Sequence, residues 1–454
     1  MSMKSRSNPR RVYAAGSLRE AAHIGWPIVI AMLSYTAMDV ADTLFVGWLG
    51  KTELAAVGIA TIVVFLFNSF FMGVLHGTKV MSSQATGAKR HDDAKMAGWV
   101  GTLIAIPLGI MVASTALLGE PIFAIMGGSA QVQAIAGDYF SIRVLGAFFV
   151  YAMVALCDYF QGTGDTRTPM KINLVANAVN IILDPILIFG WGPIAAMGVE
   201  GAAVATVVAQ VLGMVIAFGV FVRRVGWVRN IQWSFVPELL RIGLPIGVRS
   251  AVNIGAFAAF TAFLARMGEE QVAAHQIALK VMSISFLPGY GLGETATILT
   301  GQYLGANKLD EVRKSFLSTL FLALGVMGAC AVVFFSFNSQ IVSLFTDDPM
   351  VIELGGKLLL IAAFFQIFDA LAMVAIGALN GVGDTRFTML GGIACSWFVL
   401  LPSSYLFGVV MDGGAVGAWF GMTAEITALG LLMLWRFNKN GWRLSGVPAV
   451  AAAE

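Results

Sequence analysis

Charged residues are scarce in this sequence. Only 12% of its 454 residues are charged and 58% are hydrophobic, whereas soluble globular proteins average about 25% charged residues. This composition excludes an ordinary soluble enzyme. We therefore expect the lipid bilayer to be the solvent for most of the chain.

Motifs for several kinds of chemistry are absent as well. No GxxxxGK[ST] nucleotide-binding motif occurs, so ATP is not expected to drive an activity. Cys157, Cys330 and Cys395 lie far apart without metal-site or disulfide spacing, and we assign them to packing. The first 20 residues lack the apolar core and cleavage site of a removable signal peptide. We expect no resident cofactor, no nucleotide and no nucleic acid as partner.

Long apolar stretches are what the sequence has instead. A membrane-spanning helix needs about 20 mostly apolar residues, and we count a dozen stretches of this kind, separated by short polar or Gly/Pro-containing breaks. They start near Ile24, Val57, Gly98, Ile135, Met170, Gly198, Leu239, Ile277, Ser315, Leu358, Phe387 and Ala415. Their length fits helices and not the roughly ten-residue strands of outer-membrane barrels. The sequence predicts an all-α integral membrane protein with twelve transmembrane helices.

Basic residues collect in every second loop. Because lysine and arginine resist translocation, they mark the cytoplasmic side of a membrane protein. They are Lys4, Arg6, Arg10, Arg11 and Arg19 before the first span, Lys89, Arg90 and Lys95 after the second, Arg167 and Lys171 after the fourth, Arg223, Arg224 and Arg229 after the sixth, Lys308, Arg313 and Lys314 after the eighth, Arg386 after the tenth, and Arg436, Lys439 and Arg443 after the last. This pattern predicts a multi-pass protein of the bacterial inner membrane with both termini in the cytoplasm.

The chain contains an internal repeat. QGTGDTR at 161–167 returns as NGVGDTR at 380–386, and IGWPI at 24–28 returns as IGLPI at 242–246. Each half holds six spans, so both enter the membrane from the same side and a pseudo-two-fold axis should lie along the membrane normal. Two lobes with a cleft between them suit alternating access, although a duplicated scaffold without transport, or a fixed pore, would show the same repeat.

The repeat divides the chain into five segments. We predict a cytoplasmic N-terminal segment (1–18), an N-lobe of six helices (19–222), a basic linker (223–237), a C-lobe of six helices (238–437) and a cytoplasmic C-terminal tail (438–454).

Acidic residues inside the first span are candidates for function, because a carboxylate in the bilayer is costly. Asp39 and Asp42 lie three residues apart on one helical face, with Tyr35 one turn earlier. Two carboxylates that close should not both ionise freely. We therefore expect one of them to hold a proton or a cation near neutral pH.

A polar stripe runs along the fifth span. Its members recur at steps of four, three and four residues: Asn173, Asn177, Asn180 and Asp184. Pro185 has no N–H, so the carbonyl near Ile181 loses its helical donor and becomes available to a ligand. Carboxylate, amide and carbonyl oxygens suit Na⁺, or a proton on Asp184; hydrogen bonding between helices is the alternative, most of all for Asn173 and Asn177.

The second half carries different acids. Asp369 lies in the tenth span with Gln366 three residues before it, and Glu294 lies in the eighth. The equivalent positions of the first half are not acidic, which favours function over packing. Glu294 has a second interpretation, an ion pair with Lys280 or Lys79.

Lys79 and His76 lie three residues apart in the second span. For Lys79 we favour a side chain that extends to the cytoplasmic interface over one that neutralises a nearby carboxylate. For His76 we favour a satisfied hydrogen-bonding role over a titrating one.

These residues occur in a pattern that resembles the multidrug and toxic compound extrusion (MATE) family over roughly residues 18–437. The resemblance rests on VADTLFVGWLG at 40–50, the paired QGTGDTR and NGVGDTR, NIILDPILIFG at 180–190, GVEGAAVAT at 198–206 and VAAHQIAL at 272–279. It implies two six-helix bundles in a V shape that export organic cations in exchange for Na⁺ or H⁺.

The resemblance also implies positions for the cation site. In the N-lobe it falls on Asp42, Asn180, Asp184 and Thr206, which would hold Na⁺ in a sodium-coupled member. The NorM-like branch adds acids in the seventh and tenth helices: the tenth-helix acid matches Asp369, but the seventh-helix position is Asn253. Glu294 is a candidate substitute. The DinF-like branch depends on the N-lobe alone, so the branch is left open.

A substrate cavity is expected between the lobes, because thioethers and aromatic faces suit varied organic cations. We assign to it Tyr35, Met38, Asp39, Asn177, Asn253, Glu294 and Gln366. The expected partners are small organic cations and membrane lipids, and we expect a monomer.

Two other functions are possible for a polytopic membrane protein of this kind, a flippase and an intramembrane enzyme. A lipid-linked oligosaccharide flippase of the same superfamily would need a cation-lined cavity for anionic headgroups, and the central spans carry more acid than base. An intramembrane enzyme acting on lipid diphosphates would need clustered carboxylates, yet the only adjacent acidic pairs, Asp92-Asp93 and Asp347-Asp348, lie in loops.

Overall fold

The computed structural model describes residues 13–126 and 129–439, and these residues are almost entirely helical. The described part contains no strand, only an isolated β-bridge between Trp191 and Ile194. Most of the predicted terminal segments lies outside the described residues. The same holds for five of the basic residues used for orientation: Lys4, Arg6, Arg10, Arg11 and Arg443.

The described residues of the first half of the chain form nine helices. They are α1 (Leu18–Leu49), α2 (Lys51–Leu75), α3 (Gly77–Gly87), α4 (His91–Ala113), α5 (Gly119–Met126), α6 (Ala130–Leu145), α7 (Ala147–Gly162), α8 (Arg167–Phe189) and α9 (Gly198–Val225). A 3₁₀ turn, Ser114–Leu118, joins α4 to α5. Several pairs are segments of one span: α2 with α3, and α6 with α7.

The second half, as far as Lys439, forms seven helices. They are α10 (Phe235–Ala265), α11 (Glu269–Gly305), α12 (Leu309–Val342), α13 (Pro349–Gly381), α14 (Thr385–Cys395), α15 (Leu401–Tyr405) and α16 (Gly414–Asn438). Two π-helical turns, Ser396–Leu400 and Leu406–Val410, flank α15.

The prediction of an all-α membrane fold is confirmed. Within the described residues, ten helical segments are long and apolar enough to cross a membrane, and the bent pair α6 and α7 makes an eleventh. The remaining predicted span, from Ile277, falls in α11, which has 37 residues but is less apolar than the others. Each of the twelve predicted starts therefore lies in a helix long enough to span, alone or with its partner segment.

The internal repeat is visible in the helix boundaries. α4 begins at His91 and α12 at Leu309, while α7 ends at Gly162 and α13 at Gly381. One difference between the halves is that the fourth span bends by 46° between α6 and α7, where α13 runs without a break. The bend occurs at Gly146, where a Cβ atom would crowd the Val207 side chain of α9 at 2.8 Å.

The two lobes meet closely at α3 and α11. A Cβ atom at Gly87 would collide with the backbone carbonyl of Gln302, and one at Gly305 with the backbone carbonyl of Gln84. Only glycine allows helix backbones to approach this closely. The two positions are repeat equivalents, so the contact obeys the pseudo-two-fold symmetry.

Two reciprocal hydrogen bonds reinforce this contact. Gln84 Nε2 donates to the Gly381 carbonyl at 2.9 Å, and Gln302 Nε2 donates to the Gly162 carbonyl at 2.8 Å. Each glutamine therefore reaches from one lobe into the repeat motif of the other. The repeated glutamines and motifs hold the lobes together at the ends predicted to be cytoplasmic.

The aspartates of the repeat motif fix the last helix of each half. Asp165 accepts from Arg224 at the end of α9 at 2.5 Å, and Asp384 accepts from Arg436 at the end of α16 at 2.7 Å. Burial opposes ionisation of Asp165, but the hydrogen bonds from Thr168 and Arg224 outweigh it and hold the pKa of this loop carboxyl below its ordinary value.

We expect Gly87→Ala to lower the free energy of unfolding by about 1–3 kcal/mol, since the added methyl group meets rigid backbone of the opposite lobe. Gly219→Ala is the matched control: Gly219 lies in α9 with nothing within 4 Å of an added Cβ, and alanine favours a helix by up to about 1 kcal/mol. Thermal unfolding of both variants in detergent measures the difference. Equal stability would contradict the close contact between the lobes.

Candidate functional site

The predicted N-lobe residues come together between α1, α8 and α9. Asn180 Nδ2 lies 3.4 Å from both Asp184 Oδ1 and Thr206 Oγ1. The Asp42 carboxyl of α1 is within hydrogen-bonding contact of the Asp184 carboxyl. Asn180 and Asp184 are completely buried. The four positions therefore form one oxygen-rich cluster, which we call the N-lobe site.

Three oxygens of the N-lobe site have no hydrogen-bond donor among the described residues. They are Asp42 Oδ1, Asn180 Oδ1 and Asp184 Oδ2. Buried polar atoms are nearly always hydrogen-bonded in proteins, and carboxylate and amide oxygens are ligands for hard cations. Since α8 continues through Pro185 to Phe189, the Ile181 carbonyl also lacks its usual helical donor. The site fits either a small cation or protons on its carboxyl groups.

The other asparagines of the stripe are hydrogen-bonded. Asn177 Nδ2 donates to Ser34 Oγ of α1 at 2.8 Å, and Asn173 Nδ2 donates to the Pro169 carbonyl at 2.8 Å. Asn177 thus links α8 to α1. Asn180 and Asp184 of the polar stripe therefore belong to the N-lobe site, whereas Asn173 and Asn177 form hydrogen bonds within α8 and between helices.

The α1 residues assigned to a substrate cavity differ in exposure. Tyr35 and Asp39 are exposed, while Met38 is 7% exposed. Asp39 lies about one helical turn and Tyr35 about two turns from Asp42 along α1.

A cavity of about 250 Å³ lies on the C-lobe side of the cleft. Three of the predicted residues line it: Asn253, Glu294 and Asp369. Gln366 does not; it is buried and donates to Ser285 Oγ at 2.6 Å. His76 and Lys79 of the N-lobe also line this cavity, so it spans both lobes.

Glu425 of α16 is a buried acid that the sequence reasoning missed. The Ser396 hydroxyl lies 3.2 Å from Asn253 Oδ1 and 3.4 Å from Glu425 Oε1, and Glu425 interacts electrostatically with Asp369. The NorM-like pattern has an acid at the position of Asn253. In this chain an acid, Glu425, lies close to Asn253 on α16 instead. Its position within an apolar span was the available signal.

The prediction that Lys79 extends to the interface is wrong. Lys79 is 3% exposed, and its ammonium group forms ion pairs with Asp158 Oδ1 at 2.9 Å and with Glu294 Oε2. Of the two partners considered for Glu294, Lys79 is the one that pairs with it. The Lys79–Glu294 pair crosses between the lobes, and it gives the buried lysine a second acidic partner besides Asp158.

Asp158 was also missed by the sequence reasoning. It lies on α7 and contacts both Lys79 and His76. The His76 Nδ1 atom lies 2.7 Å from Asp158 Oδ2. His76 is thus a hydrogen-bonding residue, as predicted. We call Lys79, Asp158 and Glu294 the charge cluster.

The sequence profile of the MatE family matches residues 27–186 and 245–406, which lie one in each half of the repeat. The chain belongs to the MatE family. The predicted MATE resemblance is therefore confirmed, and the spans assigned from hydropathy are those of a multi-pass membrane protein.

Full-length relatives of this MatE protein are known. A protein of Deinococcus radiodurans named "Probable multidrug resistance protein NorM" is 30% identical, with 94% of this chain and 96% of the relative covered. "Multidrug resistance protein NorM" of Burkholderia vietnamiensis is 29% identical, covering 94% and 95%. These relatives are named as resistance proteins, and the enzyme alternative is set aside.

Solved structures show the same fold. One described as the outward-facing conformation of a multidrug resistance MATE family transporter superposes with a TM-score of 0.87 at 23% identity, covering 95% of this chain and 97% of the other. A MOP superfamily transporter from Pyrococcus furiosus, described as having a binding pocket of reverse polarity, superposes with a TM-score of 0.86 at 23% identity and the same coverage.

We expect Lys79→Met to destabilise the protein by about 3–5 kcal/mol, because Asp158 and Glu294 would remain buried without their shared cation. Lys280→Met is the matched control, since Lys280 is exposed. Glu294→Gln should cost less than Lys79→Met, because Lys79 keeps Asp158. Thermal unfolding measures all three. A Lys79→Met protein as stable as Lys280→Met would refute the role of the charge cluster.

Proposed function

We propose that this MatE protein is a cation-coupled antiporter, which exports organic cations by alternating access in exchange for Na⁺ or H⁺. The observation that carries the proposal is the set of buried oxygens without donors in the N-lobe site, on Asp42, Asn180 and Asp184. In a membrane protein of this family, such a site is best explained by a small cation that enters and leaves.

Asp42, Asn180, Asp184 and Thr206 would bind the coupling ion, and its positive charge would offset one of the two carboxylate charges. Asp369, buried and without a cationic partner among the described residues, is a further candidate. Exchange requires that the bound ion lowers the affinity for substrate. By linkage, the bound substrate then lowers the affinity for the ion by the same factor. The proximity of exposed Tyr35 and Asp39 to the N-lobe site supports such competition.

Alternating access is supported by where the lobes touch. The contacts of Gly87 with Gln302 and of Gly305 with Gln84, together with the charge cluster, join the lobes on the side predicted to be cytoplasmic, so we take the described state to be open to the outside. Opening toward the cytoplasm would break Lys79–Glu294. Lys79 would keep Asp158, and Glu294 would keep the electrostatic contact with Arg249 of its own lobe.

The substrate class is argued from charge. Asp39 is exposed and Asp369 lines the cleft cavity, and carboxylates attract organic cations. The flippase alternative needs excess positive charge, yet Lys79 is neutralised by two acids. We place the protein as a monomer in the bacterial inner membrane, surrounded by lipid, with both termini in the cytoplasm, because the basic loops favour that orientation.

We expect Asp184→Asn to abolish ion-driven transport, since one of the two carboxyl groups that bind the coupling ion is lost. The assay is movement of a fluorescent organic cation in liposomes, with a Na⁺ gradient and an H⁺ gradient imposed separately. Asp347→Asn, at an exposed loop acid, is the matched control, and thermal unfolding checks that both variants are folded. Transport by Asp184→Asn equal to that of the control would refute the site, and the gradient that drives the wild type identifies the ion.

A further inference from the structure

Arg143 is a charged residue inside the fourth span that no role described so far explains. It lies in the last turn of α6, just before the bend at Gly146. Its Nε and Nη1 atoms are buried and have no hydrogen-bond partner in residues 13–126 and 129–439. A guanidinium is always charged in proteins, and burying one without a partner is costly. Some group must compensate this charge during the working cycle.

Arg143 interacts electrostatically with both acids of the N-lobe site. Its charge interacts with the carboxyls of Asp42 and Asp184 and with the phenols of Tyr35 and Tyr139. Arg143 forms no direct ion pair with any described residue, although both carboxyls have a free oxygen. The half-buried guanidinium thus has two buried nitrogens without an acceptor, and both carboxyls with which it interacts electrostatically have an oxygen without a donor.

The charges at this place balance in two different ways. With both carboxyls ionised, Asp42 and Asp184 carry two negative charges, and Arg143 offsets one of them. With a proton or Na⁺ on the pair, one negative charge remains, and the coupling ion occupies oxygens that Arg143 would otherwise contact. Asp39, further along the same face of α1, adds negative charge to the surroundings.

We propose that Arg143 is the resident counter-ion of the N-lobe site: it pairs with Asp42 and Asp184 when the coupling ion has left, and gives way when that ion binds. The inference rests on the proposed antiport function. A tethered cation competes for the same free oxygens as the coupling ion, so it weakens ion binding and promotes ion release. Its place in the last turn of a helix suits a cation in both states.

A double-mutant cycle tests the ion pair itself. Arg143→Gln, Asp184→Asn and the double variant are compared by thermal unfolding without Na⁺ and at alkaline pH, where the coupling ion is absent. We expect the double variant to be more stable than the sum of the single effects predicts, since the attraction between Arg143 and Asp184 is lost in either single variant and can be lost only once. Additive effects would overturn the pairing.

Ion binding tests the competition. The concentration of Na⁺, or of H⁺, that half-saturates stabilisation of the purified protein should fall about tenfold in Arg143→Gln, since a nearby positive charge is removed. Arg143→Lys should stay close to wild type. Arg266→Gln is the control, because Arg266 is exposed at the end of α10. Unchanged half-saturation in Arg143→Gln would overturn the proposal.

The remaining outcomes are distinguishable. If neither ion stabilises the wild type, the antiport function fails, while the cycle still reports on the ion pair. If Arg143→Gln leaves ion binding unchanged but abolishes transport of substrates that carry a carboxylate, the guanidinium serves an anionic ligand group, and the counter-ion role is overturned.

Discussion

The ion pair between Lys79 and Glu294 joins the two lobes at the base of the cleft, within a charge cluster that Asp158 completes. Charges removed from water are tolerated only when they are paired and hydrogen-bonded. Because one lysine serves two carboxylates from different lobes, the position of α3 relative to α11 and α7 is fixed by charge as well as by packing. The closed side of the cleft depends on this arrangement, and so does the cavity above it.

In the N-lobe site, by contrast, the charged groups are not fully paired or hydrogen-bonded. Its carboxyl groups touch each other and keep free oxygens, while the nearby Arg143 remains unpaired. The charges of the charge cluster are thus paired, whereas the N-lobe site has carboxyl oxygens without a partner. Incomplete pairing is costly in a fold that needs only stability, but it is what a site needs if its occupant must change during each cycle.

The contacts that recur in both halves of the repeat hold helices together, whereas the residues of the candidate site do not recur. Gln84 and Gln302, the two glycines beside them and the two motif aspartates make equivalent contacts in both halves. The acids of the N-lobe site and of the charge cluster have no such equivalents. The contacts that hold helices together are thus repeated in both lobes, whereas the charged groups inside the spans differ between them.

The sequence predicted the fold well because hydrophobic length and internal repetition are local properties. It also predicted that Asn180 and Asp184 share a helical face, since four residues make about one turn. It failed for Lys79, whose interface position was wrong, and it missed Asp158, Arg143 and Glu425. Each of these is a single charged residue in an apolar span, and nothing near it in the chain reveals a partner.

The sequence alone therefore determined which segments cross the membrane, how the halves repeat and which residues of α8 face the same side. Only the tertiary structure decided that Asp42 meets Asp184, that Lys79 reaches Glu294 across the cleft, and that Arg143 stands unpaired beside the N-lobe site. The physical reason is that the period of a helix fixes a residue's direction around its own axis. Contacts between helices depend in addition on crossing angles and on the close approach that glycines such as Gly87 and Gly305 permit.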